Sequence, residues 1–545
     1  MPKKPSRPGP PLDAPRTGED DQSRLVAALM DGSRYPHAVK NVRLAETHIS
    51  WVFLAGRYAY KIKKALDLGF LNFTSLESRR YYCEEEIRLN RRLAPQIYRD
   101  VIPISGKPDT PEFGGQPAIE YAVRMRRFPV SNELDKLAAR GKLMPQYIDS
   151  LASTIADFHG NLVPAEPGSK FGSAAAVYSA AFQVFDRLQI LLANSEDAVS
   201  VIALRQAAEK EYADCREHFE RRHAQGFVRE CHGDLHLGNI VLIHQQPIPF
   251  DCMEFDPALR WIDVMNEIAF AVMDLLHWKL PGLAYRFLNA YLEITGDYKG
   301  VRLLRFYIAS RATVRAMVNA IHTNQPGLPG NGKVKALESC RSFLTLAAEC
   351  LALYRPALII THGLPGSGKT TFAQAALERL QAIRIRSDVE RKRLFGLLPL
   401  ADSRSHPNGI YGSDATQLTY VRLHELAREL LTAGVPVIVD AAFLKQDERD
   451  SFHQLAQELA VPFVIASLQS SPATLRARIV QRQAALNDAS EADLAVLEKL
   501  EKDQQVLSPG ECAYAVVFIN DVSPIADDVR SWSKFDRLLS GSVKN

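Results

Sequence analysis

The sequence predicts an α+β domain followed by an α/β domain built on a parallel sheet. Three observations carry this. Residues 357–372, ALIITHGLPGSGKTTF, set a glycine-rich turn between a short apolar run and a helical pattern. Beyond it, the apolar runs 357–362, 382–386, 435–439, 463–468 and 514–519 alternate with amphipathic helices, the pattern of a parallel sheet with helices on both faces. Upstream, residues 22–130 mix strands with a helix, and helical periodicity dominates from about 145.

Taken in order, residues 1–21 are rich in proline and charge, have almost nothing to bury, and are expected to form a disordered tail. WVFLAGRYAYKIKK (51–64) reads as two strands turning near Ala55-Gly56. The stretch 76–94 reads as a helix offering Leu76, Tyr82, Ile87, Leu89 and Leu93 for burial, and 119–130 as a strand stopped by Pro129. These make a small lobe over about 22–130. A helical large lobe follows over about 131–354, broken by the Gly/Pro-rich loop 322–333. Arg355-Pro356 marks the boundary to a second domain, 355–545.

Composition excludes several function classes. A net charge of +3 over 545 residues supplies no bulk polyanion-binding surface, and no run of basic residues interleaved with aromatics offers a nucleic-acid track. The seven cysteines are odd in number, scattered, and contain no C-x-x-C, which suits free thiols in a reducing compartment. No apolar run approaches a membrane span, and the N-terminus has no apolar signal core. The expectation is a soluble cytoplasmic protein.

The glycine-rich turn carries chemistry. Gly363, Leu364, Pro365, Gly366, Ser367, Gly368, Lys369 and Thr370 satisfy G-x-x-x-x-G-K-[ST] and open a helix, with Thr371 next as a further phosphate-binding candidate. Glycines let backbone N–H groups close around phosphate oxygens, and the helix N-terminus adds its dipole. Lys369 is placed to reach the β- and γ-phosphates of ATP, and Thr370 to offer its hydroxyl to Mg²⁺. Asp388 lies just past the second strand, at the carboxyl edge where ligands bind, suited to orient or deprotonate an acceptor hydroxyl. Arg391 could reach the same cleft. Asp440 ends a strand in place for a water-mediated Mg²⁺ contact, or alternatively caps a loop. Arg478 and Arg482 share a helix face and could fold over the γ-phosphate; a solvated basic helix is the rival reading.

A second constellation lies in HGDLHLGN (232–239) and the apolar hairpin after it, which leads to Asp251. Antiparallel pairing puts Asn239 and Asp251 at one end, and Asp234 can reach the same place. Mg-dependent phosphoryl transfer asks for this trio: one Asp to accept a hydroxyl proton, with Asn and the other Asp on the metal. The i, i+4 spacing of His232 and His236 raises zinc as an alternative, weakened by Gly233, Gly238 and the lack of a third ligand. A plain polar loop is the remaining alternative. Glu254 and Asp256 either bind substrate or are solvated.

The H-G-D-L-H-x-G-N run, hairpin and Asp resemble the catalytic loop of aminoglycoside phosphotransferase-like kinases, relatives of the protein kinases. The resemblance implies a protein-kinase-like α+β fold for 22–354, with Asp234 as base and Asn239 and Asp251 as metal ligands. It also implies Lys61, in Tyr58–Ile62, as the ATP-binding lysine and Glu86 as its partner, with Glu84 and Glu85 as rivals. Met125–Pro129 would be the hinge beside adenine. The chain departs from protein kinases: no G-x-G-x-x-G precedes Lys61, so Thr47–Ser50 would cover the phosphates, and Cys-Met-Glu follows Asp251. A small-molecule acceptor is implied. The glycine loop, Asp388, Asp440 and the arginine pair resemble P-loop small-molecule kinases such as gluconate kinase and zeta-toxin-like kinases. The whole order resembles bacterial fusions of an aminoglycoside phosphotransferase-like half with a P-loop ATP-binding half.

The resulting expectation is a two-module phosphotransferase with separate ATP·Mg²⁺ sites, each transferring phosphate to a hydroxyl of a small molecule. The alternatives are an ATP-binding regulatory protein with one weakly active module, or a polynucleotide 5′-hydroxyl kinase in the C-terminal half.

Overall fold

In the computed structural model, which describes residues 18–67, 69, 71–323, 329–403, 410–485, 490–521 and 528–540, helix α1 (Gly18–Leu29) begins inside the segment expected to be tail. Leu25 and Leu29, four residues apart on one helix face, enter the core with Phe53, Tyr60, Ile62, Ile104 and Ala122. Residues 1–17 lie outside the described residues.

Then follow β1 (Val42–Glu46), β2 (Ser50–Ala55), β3 (Tyr58–Lys63), α2 (Leu76–Asn90), β4 (Tyr98–Lys107), β5 (Thr110–Phe113), β6 (Ala118–Arg126) and α3 (Leu134–Ala139). Next are α4 (Pro145–Asn161), α5 (Ala174–Leu191), α6 (Ala198–Ala224), β7 (Val228–Glu230), β8 (Ile240–Ile243), β9 (Gln246–Pro249), α7 (Pro257–Arg260) and β10 (Trp261–Asp263). Four long helices complete the first half: α8 (Val264–His277), α9 (Pro281–Thr295), α10 (Leu304–Thr323) and α11 (Gly330–Ala352). The second half runs β11 (Leu358–His362), α12 (Lys369–Leu380), β12 (Ile383–Arg386), α13 (Ser387–Leu394), α14 (Ser413–Thr432) and β13 (Val437–Asp440). It ends with α15 (Gln446–Glu458), β14 (Phe463–Gln469), α16 (Pro472–Ala485), α17 (Leu494–Asp503), β15 (Ala515–Ile519) and α18 (Val529–Leu539). The centre of the expected 322–333 loop, residues 324–328, lies outside the described residues.

Two compact units result: Met1–Arg140 with Glu230–Trp261, and Gly141–Arg229 with Ile262–Asn545. This division cuts across the one drawn at residue 355. The physical reason is that α9 packs on α12 and β12: Arg286 pairs with Glu378 at 2.8 Å, and the Asn289 amide donates to the Ala382 carbonyl at 2.9 Å.

In the first unit, six antiparallel strands run in the order β1-β2-β3-β6-β4-β5, with α2 inserted between β3 and β4. Ser75 caps α2, accepting from Ser78 N at 3.0 Å. The buried face of α2 is Arg79, Cys83, Glu86, Leu89 and Asn90, largely polar, and shares only Leu89 with the apolar set expected. Its charges are paired: Arg79 Nε lies 2.9 Å from both Glu120 oxygens.

In the second unit, five parallel strands run in the order β12-β13-β11-β14-β15. The central strands β11, β13 and β14 are buried along nearly their whole length, as expected when a sheet is covered on both faces. The helical segment α4–α6 and α8–α11 belongs to the same unit. Among the described residues no helix is long and apolar enough to cross a membrane, and the seven cysteines are free.

Candidate active sites

The first site is assembled on β3, α2 and the β8–β9 hairpin. The hairpin turns on His244 and Gln245, both with positive φ, the geometry of a two-residue primed turn. Its register pairs Ile240 with Pro249, so Asn239 and Asp251 flank the same end. Asn239 Nδ2 donates to Asp234 Oδ2 at 2.9 Å and to the Asp234 carbonyl at 3.1 Å. His232 is fully buried. Its Nδ1 accepts from Asp234 N at 3.3 Å, so Nε2 carries the proton and donates to the Phe250 carbonyl at 2.9 Å. With both nitrogens engaged in the loop, His232 braces it and offers no lone pair to zinc.

Asp251 sits at φ 63°, a left-handed conformation that an aspartate tolerates. Two groups hold it there: its N–H donates to the Tyr98 hydroxyl at 3.1 Å, and Cys252 N donates to Asn90 Oδ1 at 2.9 Å. Lys61 Nζ lies 2.9 Å from Glu86 Oε1 and 2.7 Å from Asp251 Oδ1. Burial opposes the Lys61 charge, but Asp251 and Glu86 outweigh it and hold the ammonium well above its usual pKa. The rivals for Lys61 are engaged elsewhere, Glu84 with Arg80 and Glu85 with Arg88, each at 2.8 Å. Thr47–Ser50 closes the β1–β2 hairpin through Thr47 N to Ser50 O at 2.9 Å. Asp234, Asn239 and Asp251 present only oxygen donors, a set suited to Mg²⁺ and not to zinc.

A second lysine was not singled out from the sequence. Lys63 shares the inward face of β3 with Lys61 and is fully buried. It pairs with Glu86 Oε2 at 2.8 Å and with Glu254, above the ring of Phe73. Glu254 is therefore neither solvated nor turned to a substrate, and Asp256 caps α7 through Ala258 N at 2.8 Å. The signal available was the period of two: an inward lysine beside another needs its own carboxylate. Lys63→Ala would leave Glu86 and Glu254 buried with too few counter-charges. It is expected to cost about 3–5 kcal/mol of stability, read by denaturant unfolding; a loss below about 1 kcal/mol, the range of an exposed pair, would refute the cluster's role.

The second site lies at the carboxyl edge of the parallel sheet. The glycine loop follows the central strand β11; Asp440 ends β13, and Asp388 stands in the first turn of α13 after β12. The register pairs Arg386 with Asp440, so both carboxylates belong to the loop's edge. The loop needs its glycines. Gly363 has φ 144°, and a Cβ there would meet the Leu468 carbonyl at 2.5 Å. Gly366 and Gly368 also have positive φ. Gly368 caps α12 with no side-chain hydrogen bond, and the first turn, Lys369, Thr370 and Thr371, forms a helix N-terminus, where an anion is stabilised. Leu364 packs on Leu475, Ile479 and Leu497, and its carbonyl accepts from Lys369 Nζ at 2.9 Å. Asn520 donates to the Ser367 carbonyl at 3.0 Å.

Asp440 is buried, and its Oδ2 makes no hydrogen bond. Burial pushes its carboxyl pKa up, opposed by Arg386, Arg384, Lys369 and a hydrogen bond with Thr370. An orphaned buried carboxylate oxygen beside a threonine hydroxyl fits a hydrated Mg²⁺. The arginines diverge: Arg478 donates to the Gly366 carbonyl at 3.2 Å, whereas Arg482 donates to the Ala492 carbonyl at 2.9 Å. Arg391 donates to Ile410 O at 3.1 Å and Thr416 Oγ1 at 3.2 Å, and lies over the Tyr411 ring.

Residues 358–507 match the family model described as "AAA domain". An uncharacterized protein of Mycobacterium tuberculosis is 29% identical over 481 residues, covering 87% of this chain and 93% of the relative. Among solved structures, a gluconokinase from Sinorhizobium meliloti is 20% identical and covers 34% of this chain and 96% of its own, with a TM-score of 0.26. The amicoumacin kinase hAmiN is 11% identical and covers 60% of this chain and 94% of its own, with a TM-score of 0.39. Over residues 358–507 the chain is thus similar to the AAA domain family.

Proposed function

We propose that this protein is a two-site, ATP-dependent phosphotransferase acting on hydroxyl groups of small molecules. The observation that supports the reading is that residues from distant segments gather in two groups of the types phosphoryl transfer asks for. The first is Lys61, Glu86, Asp234, Asn239 and Asp251, with Lys61 held 2.9 Å from Glu86 and 2.7 Å from Asp251. The second is the glycine loop with Asp388 and Asp440.

In the first site, Lys61 binds ATP phosphate, with Glu86 holding the ammonium on station. Asp234 accepts the acceptor's hydroxyl proton, and Asn239 and Asp251 would hold Mg²⁺. In the second, backbone N–H groups of the glycine loop and of the first turn of α12, with Lys369, bind phosphate, Arg478 steadies the loop, and Thr370 and Asp440 would hold Mg²⁺. Asp388 orients the acceptor hydroxyl and takes its proton. In both sites, bound Mg²⁺ would offset charge on the phosphate oxygens.

Each set is complete, so each should work alone. Calorimetric titration of the full-length chain with ATP and Mg²⁺ is expected to give two sites per chain. A stoichiometry of one would sink the two-site reading and favour a regulatory module. At the second site, Asp388→Asn should retain ATP binding and lose about 10²–10⁴-fold in transfer. If ATP affinity collapses instead while transfer per bound ATP survives, Asp388 serves the nucleotide and not the acceptor.

A further inference from the structure

β12 is the edge strand of the parallel sheet, with β13 on one side only. An edge strand leaves a row of backbone groups unpaired, which proteins cover or blunt. Here a side chain covers them. Asn289, on α9 and buried, donates Nδ2 to the Ala382 carbonyl at 2.9 Å and accepts at Oδ1 from Arg384 N at 2.6 Å. Its amide takes the place of a neighbouring strand's peptide.

One helical turn later stands Glu293. Its Oε1 accepts from Arg384 Nε at 2.8 Å, and its Oε2 lies 3.6 Å from Arg386 Nη1. The Arg393 guanidinium donates to the Glu293 carbonyl at 2.5 Å. Arg386 in turn has Nε 3.9 Å from Asp440 Oδ2, the buried oxygen with no hydrogen bond. Arg386 therefore stands between two carboxylates, one from the helical segment and one from the phosphate-loop edge. If Glu293 lost its charge, its pull on Arg386 would weaken and the balance would shift toward Asp440. A guanidinium hydrogen-bonded to Asp440 would cover the oxygen that a hydrated cation needs.

We propose that Glu293 and Asn289 are positioning residues of the P-loop site: Asn289 holds β12 in place, and Glu293 keeps Arg386 off Asp440 so that the carboxylate can serve Mg²⁺. The inference rests on the reading of Asp440 as a Mg²⁺ residue. It extends that reading by making a helix far upstream in sequence part of the downstream site.

The test uses the full-length chain with Lys61→Ala, to weaken ATP binding at the other site. Binding of a fluorescent ATP analogue is followed as Mg²⁺ is added. Glu293→Gln, nearly isosteric, should raise the Mg²⁺ midpoint by about ten- to a hundredfold, the usual cost of losing an outer-shell partner, while analogue binding without metal is unchanged. Adding Arg386→Gln to Glu293→Gln should return the midpoint toward that of the starting protein, a rescue that a merely structural role would not give. An unchanged midpoint in Glu293→Gln, or no rescue in the double variant, overturns the proposal. If Glu293→Gln fails to fold, Arg386→Gln alone decides: the midpoint should fall, and an unchanged one overturns the proposal. Lys369→Ala in the same background tests the site itself. If it leaves analogue binding intact, the P-loop reading fails, and that result is distinct from a failure of Glu293.

Discussion

Lys369→Ala in the full-length chain is expected to lower ATP turnover at the P-loop site by about a hundredfold or more. Lys369 opens α12 at the mouth of the glycine loop, and its ammonium rests 2.9 Å from the Leu364 carbonyl. A triphosphate is a stronger partner for an ammonium than a carbonyl, so phosphate oxygens should draw the charge as they arrive. The backbone N–H groups remain in the variant, so ATP binding should weaken less than turnover. The measurement is ATP hydrolysis in an Asp234→Asn background, where the first site is silent. Turnover equal to that of the background protein would remove the P-loop site from the chemistry.

Asp234→Asn should abolish transfer at the first site, with a loss of about 10²–10⁴-fold, the range for a general base. The loop is built to hold this carboxylate. Asn239 donates to it at 2.9 Å, and the buried His232 ties the turn to the Phe250 carbonyl. An amide of the same shape should keep the loop and the ATP affinity while losing the proton acceptor. Transfer of labelled phosphate from ATP into a metabolite extract is the readout. Survival of the transfer activity assigned to this site would rule out Asp234 as base. Loss of activity at the P-loop site from this one substitution, in a folded protein, would rule out independent sites.

Much of both sites was legible because their residues are close in sequence or sit at strand ends. The spacing from Gly363 to Thr370 dictates a loop, and alternation of strand and helix places Asp388 and Asp440 at one sheet edge. The hairpin after HGDLHLGN brings Asn239 and Asp251 to one end by its register alone. Hydrophobic patterning failed where polar groups go inside. It assigned α2 an apolar face, yet the buried stripe is Arg79, Cys83, Glu86, Leu89 and Asn90, because it faces the lysines of β3 and the Glu120 carboxylate. It likewise missed Leu25 and Leu29, since two apolar residues beside a charged, proline-rich segment reveal no core until the sheet supplies one.

By itself, then, the sequence determined the local devices: the glycine-rich loop, the parallel sheet behind it, the HGDLHLGN turn with its hairpin, and the strand carrying Lys61. Tertiary structure alone decided how charges share one another. Lys63 and Glu254 are 191 positions apart, and neither has a local partner that betrays the pair. Glu293 and Arg384 are 91 positions apart, and their meeting joins the upstream helices to the P-loop sheet. The reason is physical. A turn or a strand end is set by neighbours along the chain, whereas a buried ion pair exists only where folding removes water from both charges at once.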